Sequence, residues 1–134
     1  MLDIWPNLPS DFFEEFCDSG MSVVVAVPDL NSVLGVRKIA KHLNEHELSF
    51  RPLCVLNKFD SAHALHAEIL QWFQHQFPES EIVTLRRTDE TSEALAEGCT
   101  VLDYAPESGI AEDYARLADV IRRAAGQNRR LKSA

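Results

Sequence analysis

Apolar and polar positions change period several times along the chain, and each change marks an element. Leu2 to Trp5 is a short apolar stub. Ser10 stands ahead of Asp11, Phe12, Phe13 and Phe16, which predicts a capped amphipathic helix ending at Gly20. Ser22 to Pro28 (SVVVAVP) is apolar at successive positions rather than at alternate ones, the pattern of a strand buried on both faces. From Asn31 or Ser32 a helix is predicted, because Val33, Leu34, Val36, Ile39, Ala40 and Leu43 recur at helical spacing. Leu53 to Leu56 is another central strand, which breaks into polar residues at Asn57. A helix follows from about Ser61, with Leu65, Ile69, Leu70, Trp72, Phe73 and Phe77 on its apolar face. Glu81 to Arg86 is a further strand, and Asp89 to Glu97 a short helix stopped by Gly98 at the C′ position. VLDYAPES (Val101 to Ser108) reads as extended, since Pro106 disfavours helix before it. Ser108 caps a last helix faced by Ile110, Tyr114, Leu117, Ala118 and Ile121.

Strands that alternate with long helices pair in parallel through crossovers, so the fold class is α/β with three layers. Counting the stub, about four strands are expected, in one domain over residues 1–134 with a basic tail from about 124. Ligands of such folds sit beyond the carboxyl ends of the strands. Those ends are Asp3 to Pro6, Pro28 to Asn31, Asn57 to Asp60 and Arg86 to Glu90, and polar residues gather at all four.

A net charge of -8 argues against a general nucleic-acid binder, which needs a basic footprint. The charge is uneven: Arg122, Arg123, Arg129, Arg130 and Lys132 follow Val120 with no acid among them. A solvated helix end whose cations suit the helix dipole accounts for them, and so does a contact to an acidic partner or a lipid surface. Cys17, Cys54 and Cys99 are odd in number and widely spaced, which suits a reducing cytosol better than a zinc site or a disulfide framework. No apolar run is long enough for a membrane span, and no signal peptide is evident.

The candidate chemistry is sparse. His42 and His46 share a helix face, but the Glu of a His-Glu-x-x-His pattern and a third ligand are lacking, so solvent-facing histidines are expected there and at His63 and His66. No nucleophile elbow occurs. Glycine is found only at 20, 35, 98, 109 and 126, which leaves no Gly-x-Gly-x-x-Gly and no Gly-Lys-Ser/Thr loop to cradle phosphate. Asn57 in VLNKFD is more pointed: an amide at a strand end offers donor and acceptor together to a purine edge. A strand-to-helix turn equally favours Asn for local hydrogen bonds.

The stretch TLRRTDETSEALAEGCTVLDYAPESGIAEDYARLADVI resembles the C-terminal segment of the ParA/MinD family of deviant-Walker ATPases. The matching features are Leu85 and Arg87, Ser92-Glu93-Ala94, Gly98, Val101-Leu102-Asp103-Tyr104, Pro106, Ser108, and then Ala111, Tyr114, Leu117 and Ala118. Arg87, Asp89 and Glu90 ahead of the helix look most like the cellulose-biosynthesis branch, BcsQ (YhjQ). Upstream, LDIWPNL is similar to the family's Asp-x-x-Pro strand end, with Asp3 and Pro6 in place, and PLCVLNKFD to the strand bearing the base-facing Asn. Arg86 departs from the pattern, since the family usually has Pro there.

The resemblance implies a P-loop-NTPase-like (SIMIBI/ParA-like) sheet of which this chain is expected to be the carboxyl half. It implies ATP and magnesium as the family's cofactors, Asn57, Leu85, Arg86 and Arg87 as base-binding, and Asp3 as a water-mediated magnesium residue. Without a phosphate loop, hydrolysis by this chain alone is not expected. The implied function is a part in bacterial cellulose biosynthesis or its localisation; the alternative is a non-catalytic module that docks on cellulose-synthase components or a full-length homologue. A cytoplasmic protein recruited through partners to the inner membrane or cell pole is expected, with self-association through an apolar sheet edge and no specific nucleic acid.

Overall fold

The computed structural model describes residues 21–45 and 51–132, and the side chains of all of these except 42–44 and 127–132. The stub at Leu2, the helix expected from Ser10 to Gly20, Asp3, Cys17 and His46 lie outside these residues, as do the side chains of His42, Leu43, Arg129, Arg130 and Lys132.

Three strands form one parallel sheet in the order β1 (Val23–Ala26), β2 (Leu53–Phe59), β3 (Ile82–Arg86). Helices α1 (Leu30–Glu45) and α2 (Ala64–Gln76) make the two crossovers. Val36 and Ala40 of α1 and Ile69 and Phe73 of α2 share one core cluster with Cys54 and Leu56, so both helices lie on one face, as same-handed crossovers between consecutive strands require. After β3 come α3 (Glu90–Ala96), α4 (Val101–Tyr104) and α5 (Gly109–Lys132), and these cover the opposite face.

The two-residue period of β2 divides the core. Cys54 and Leu56 point to the first face, where they meet Ala26, Val36, Ala40, Ile69, Phe73 and Phe77. Leu53 and Val55 point to the other, with Val83, Leu85, Ala94, Val101, Ile110 and Val120. A strand covered on both sides is continuously apolar, as β2 is from Leu53 to Leu56. Burial pushes the Cys54 thiol up to about 12, so it packs as a small apolar group.

Several expectations are corrected. The apolar run at β1 predicts cover on both faces, yet Val23 and Val25 are 41% and 67% exposed. They are in register with Leu53 and Val55, so they belong to the second face, whose long helix α5 packs on β3 at the far side of the sheet. β2 does not stop at Asn57; it runs to Phe59 through a bulge in which Asn57 and Lys58 oppose Leu85 alone. α1 begins at Leu30, because Asp29 rather than Asn31 or Ser32 caps it: Asp29 Oδ1 accepts from the Ser32 amide at 2.7 Å. α2 starts at Ala64, three residues later than expected.

VLDYAPES is not extended: Val101–Tyr104 is a helical turn. Thr100 caps it, its hydroxyl accepting from the Asp103 amide at 3.2 Å, while Pro106 constrains only the residue before it. On α5, Ala118 is exposed and Val120 takes the buried place. Ser108 does cap α5, its hydroxyl accepting from the Ala111 amide at 3.3 Å, and Gly98 ends α3 with φ +69°.

Two substitutions test this arrangement by chemical denaturation. Phe73 is fully buried beside Trp72 and Phe77, and Phe73→Ala should cost about 3–5 kcal/mol. Gly98→Ala should cost about 1 kcal/mol, because its left-handed backbone disfavours a Cβ although the space is open. A Phe73→Ala midpoint indistinguishable from wild type would rule out the first core as described.

Candidate functional site

Parallel pairing carries the ends of all three strands to one end of the sheet, so Pro28–Asp29, Asn57–Asp60 and Arg86–Glu90 share that end. Two of the expected site segments are direct neighbours there. Phe59 pairs with Arg86, and the Arg87 amide donates to the Phe59 carbonyl at 2.8 Å. Asn57 and the Leu85–Arg87 turn therefore belong to one place.

The bulge shapes the β2 side. Lys58 has φ +58°, a left-handed conformation uncommon for a residue with a side chain, and bulges re-aim side chains at strand ends. Asn57 Oδ1 accepts from the Lys58 amide at 2.9 Å, so the local hydrogen bond expected of a turn Asn does form. That oxygen keeps a second lone pair and the amide nitrogen keeps its two donors. His66 supports the same turn. Its Nδ1 accepts from the Asp60 amide at 3.0 Å, and its ring stacks on His63 with centroids 4.5 Å apart. His63 is exposed as expected, whereas the half-buried His66 is a structural acceptor.

The three β3-side residues differ in what they offer. Leu85 is buried in the second core, so only its main chain reaches the strand end. Arg87 is exposed. Arg86 is half exposed, but its guanidinium is turned to Asp113 of α5, with Nε 2.8 Å from Oδ2 and one terminal nitrogen 3.1 Å from Oδ1. The Arg86 amide donates to the same Oδ2 at 2.9 Å, and Arg116 donates to Oδ1 at 3.2 Å.

Asp113 is 3% exposed and is the buried charge among the described residues. Burial pushes its carboxyl pKa up. The side-chain and main-chain hydrogen bonds from Arg86, with the charges of Arg86 and Arg116, outweigh that and hold it below the usual carboxylate range. The partnership raises Arg86 in turn, first through the Asp113 hydrogen bond and then through its charge. Gly109 makes room for this pair: a Cβ there would stand 1.8 Å from an Arg86 terminal nitrogen. Sequence reasoning overlooked Asp113, Gly109 and Arg116. A signal was present, since Asp113 falls three residues after Ile110 and four before Leu117, inside the apolar stripe of α5.

Elsewhere the surface is conventional. Arg122 and Arg123 pair with Asp119 and Glu81 at 2.6 and 3.1 Å, as a solvated helix end would. A concavity of about 440 Å³ lined by Arg37, Ala40, Lys41, Glu45 and Gln76 lies at the ends of α1 and α2, away from the strand carboxyl ends. Among the described residues no group of three or more His, Cys, Asp or Glu could hold a metal ion. No described helix is long and apolar enough to cross a membrane.

Parallel strands, helices on both faces and polar turns gathered at one end define an α/β protein, an architecture consistent with a P-loop-NTPase-like fold. The family described as Cellulose biosynthesis protein BcsQ matches residues 1–121, and the chain belongs to that family. No curated protein and no solved structure matches the chain.

The Asp113 charge gives a pH prediction. A carboxyl held low in the folded state stabilises above its unfolded value of about 3.9, and that stabilisation is lost as pH falls through the lower folded value. Asp113→Ala should therefore cost about 1–3 kcal/mol at neutral pH, less than a fully buried pair because both arginines are over half exposed. The gap between variant and wild type should close below about pH 4. Urea denaturation at several pH values measures it, and a gap that stayed constant into acid would exclude the charge as its source.

Proposed function

We propose that this chain serves bacterial cellulose biosynthesis, or the localisation of its machinery, as a ParA-like protein that does not hydrolyse ATP alone. The observation that carries this reading is a family match over residues 1–121 joined to a sequence without a Gly-Lys-Ser/Thr loop. The resemblance supplies the rest. Asn57, with the main chain of Leu85 to Arg87, is the base side of a nucleotide site, and Asp3 is the magnesium-side acid. The adjacency of Phe59 and Arg86 supports Asn57 and the turn acting together.

In phosphoryl transfer the protein mostly positions phosphates and offsets their charge with backbone amides, a Lys and magnesium. The resemblance assigns residues here to the base and none to the phosphates, so no catalytic step is assigned to them. The chain is proposed to act in the cytoplasm by association with cellulose-synthase components, a full-length homologue or a second copy of itself. Val23 and Val25, neighbours on the second face of β1 and 41% and 67% exposed, favour this docking reading, since adjacent exposed apolar residues mark interaction surfaces.

Calorimetry and phosphate release with magnesium and ATP test the proposal. Base contacts contribute roughly 0.5–1.5 kcal/mol each, against about 8 kcal/mol for micromolar affinity. Binding no tighter than millimolar, and no phosphate release above background, are expected. Micromolar binding abolished by Asn57→Ala would sink this reading and restore an ATPase.

A further inference from the structure

The β3 strand borders β2 on one side only among the described residues. On its other side the main chain is met by side chains of α5. The Arg86 amide donates to Asp113 Oδ2 at 2.9 Å, and Arg116 donates to the Thr84 carbonyl at 3.0 Å. Two main-chain groups of an unpaired edge are thus satisfied from one turn of one helix, by residues that also bind each other.

Asp113 holds Arg86 at three points: main-chain amide, Nε and one terminal nitrogen. A residue held by both its backbone and the far end of its side chain has little rotational freedom left. Arg87 follows directly, and its amide is the one that ties β3 to Phe59, two residues beyond Asn57. Gly109 lets the Arg86 guanidinium lie against the start of α5. A proline would restrain the same point by other means: it fixes φ and has no N–H to satisfy, which suits a position whose amide faces away from the neighbouring strand.

We infer that Asp113 is the positioning residue of the Leu85–Arg87 turn, and that its hold on Arg86 does the work a proline at position 86 would do. The inference rests on the proposed base site for the turn's ligand; the positioning itself is a property of the main chain. Asp113 touches no ligand in this account. It sets where the Arg87 backbone stands relative to Asn57.

Hydrogen exchange followed by NMR separates this role from general stability. In Asp113→Ala the Arg87 amide should exchange roughly tenfold faster relative to the Val55 amide at the centre of β2. Adding Arg86→Pro to Asp113→Ala should return that ratio to near its wild-type value, since proline needs no acceptor. Should Asp113→Ala fail to fold, Asp113→Asn keeps the shape and one acceptor, and should give a smaller rise in the same ratio. Equal acceleration at Arg87 and Val55, or no rescue by proline, would overturn the inference. Millimolar ATP added to the wild-type protein reads the base site separately. Shifts at Asn57 and Arg87, lost in Asp113→Ala and regained with Arg86→Pro, support both readings. A wild-type spectrum unmoved by ATP removes the base site, while the exchange ratio still decides the role of Asp113.

Discussion

A carboxylate in a core must be matched by donors, or it destabilises the fold that buries it. Asp113 meets that condition with the Arg86 main-chain amide, the Arg86 guanidinium and Arg116. The consequences spread outward from it. α5 can sit only where Asp113 faces the end of β3, which brings Ile110 and Val120 onto the second core. Gly109 has to lack a side chain, or the guanidinium could not lie where it does. Both arginines stay more than half exposed, so their charges remain hydrated while the acid is not. That division makes the arrangement tolerable: a half-exposed guanidinium gives up little hydration, and the carboxylate receives several charge-assisted bonds in return.

The layered fold was legible because hydrophobic period reports directly on burial. Leu53 to Leu56, apolar at every position, is covered on both faces, and the α2 stripe does reach the core at Ile69 and Phe73. The same rule failed at β1, where an equally apolar run leaves Val23 and Val25 exposed. Apolar side chains state what a strand can bury, not which neighbours are there to bury it. VLDY failed for another reason. Thr100 and Asp103 cap a single turn, and one turn is too short to show a period of its own, so a proline two residues past its end dominated the reading.

The candidate site was legible in position and much less so in detail. Asn57 and the Leu85–Arg87 turn were paired by resemblance, and parallel register does bring them together. Their side chains follow contacts that no local pattern encodes. Leu85 turns into the core and Arg86 turns to α5, so Arg87 and the main chain are what β3 offers at the strand end. The bulge at Asn57–Lys58 was equally hidden. Nothing in VLNKFD announces a left-handed lysine, which pairing with β3 and the hydrogen bond between His66 and Asp60 help to sustain.

These details bear on what the proposed base-side site would do. Ordered turns preorganise hydrogen-bonding groups, and preorganisation lowers the entropic cost of binding without adding contacts. The bulge, the imidazole support at Asp60 and the Asp113 hold on Arg86 all fix the main chain beside Asn57 before any ligand arrives. At the proposed site they would improve the selectivity of a few hydrogen bonds, because a rigid donor and acceptor reject a mismatched edge. They cannot replace charge-assisted bonds to phosphates, which supply the larger share of nucleotide affinity. Under the proposed reading, recognition of a nucleotide base by this chain would be paired with phosphates held by an associated protein, since a few rigid hydrogen bonds give selectivity and little affinity.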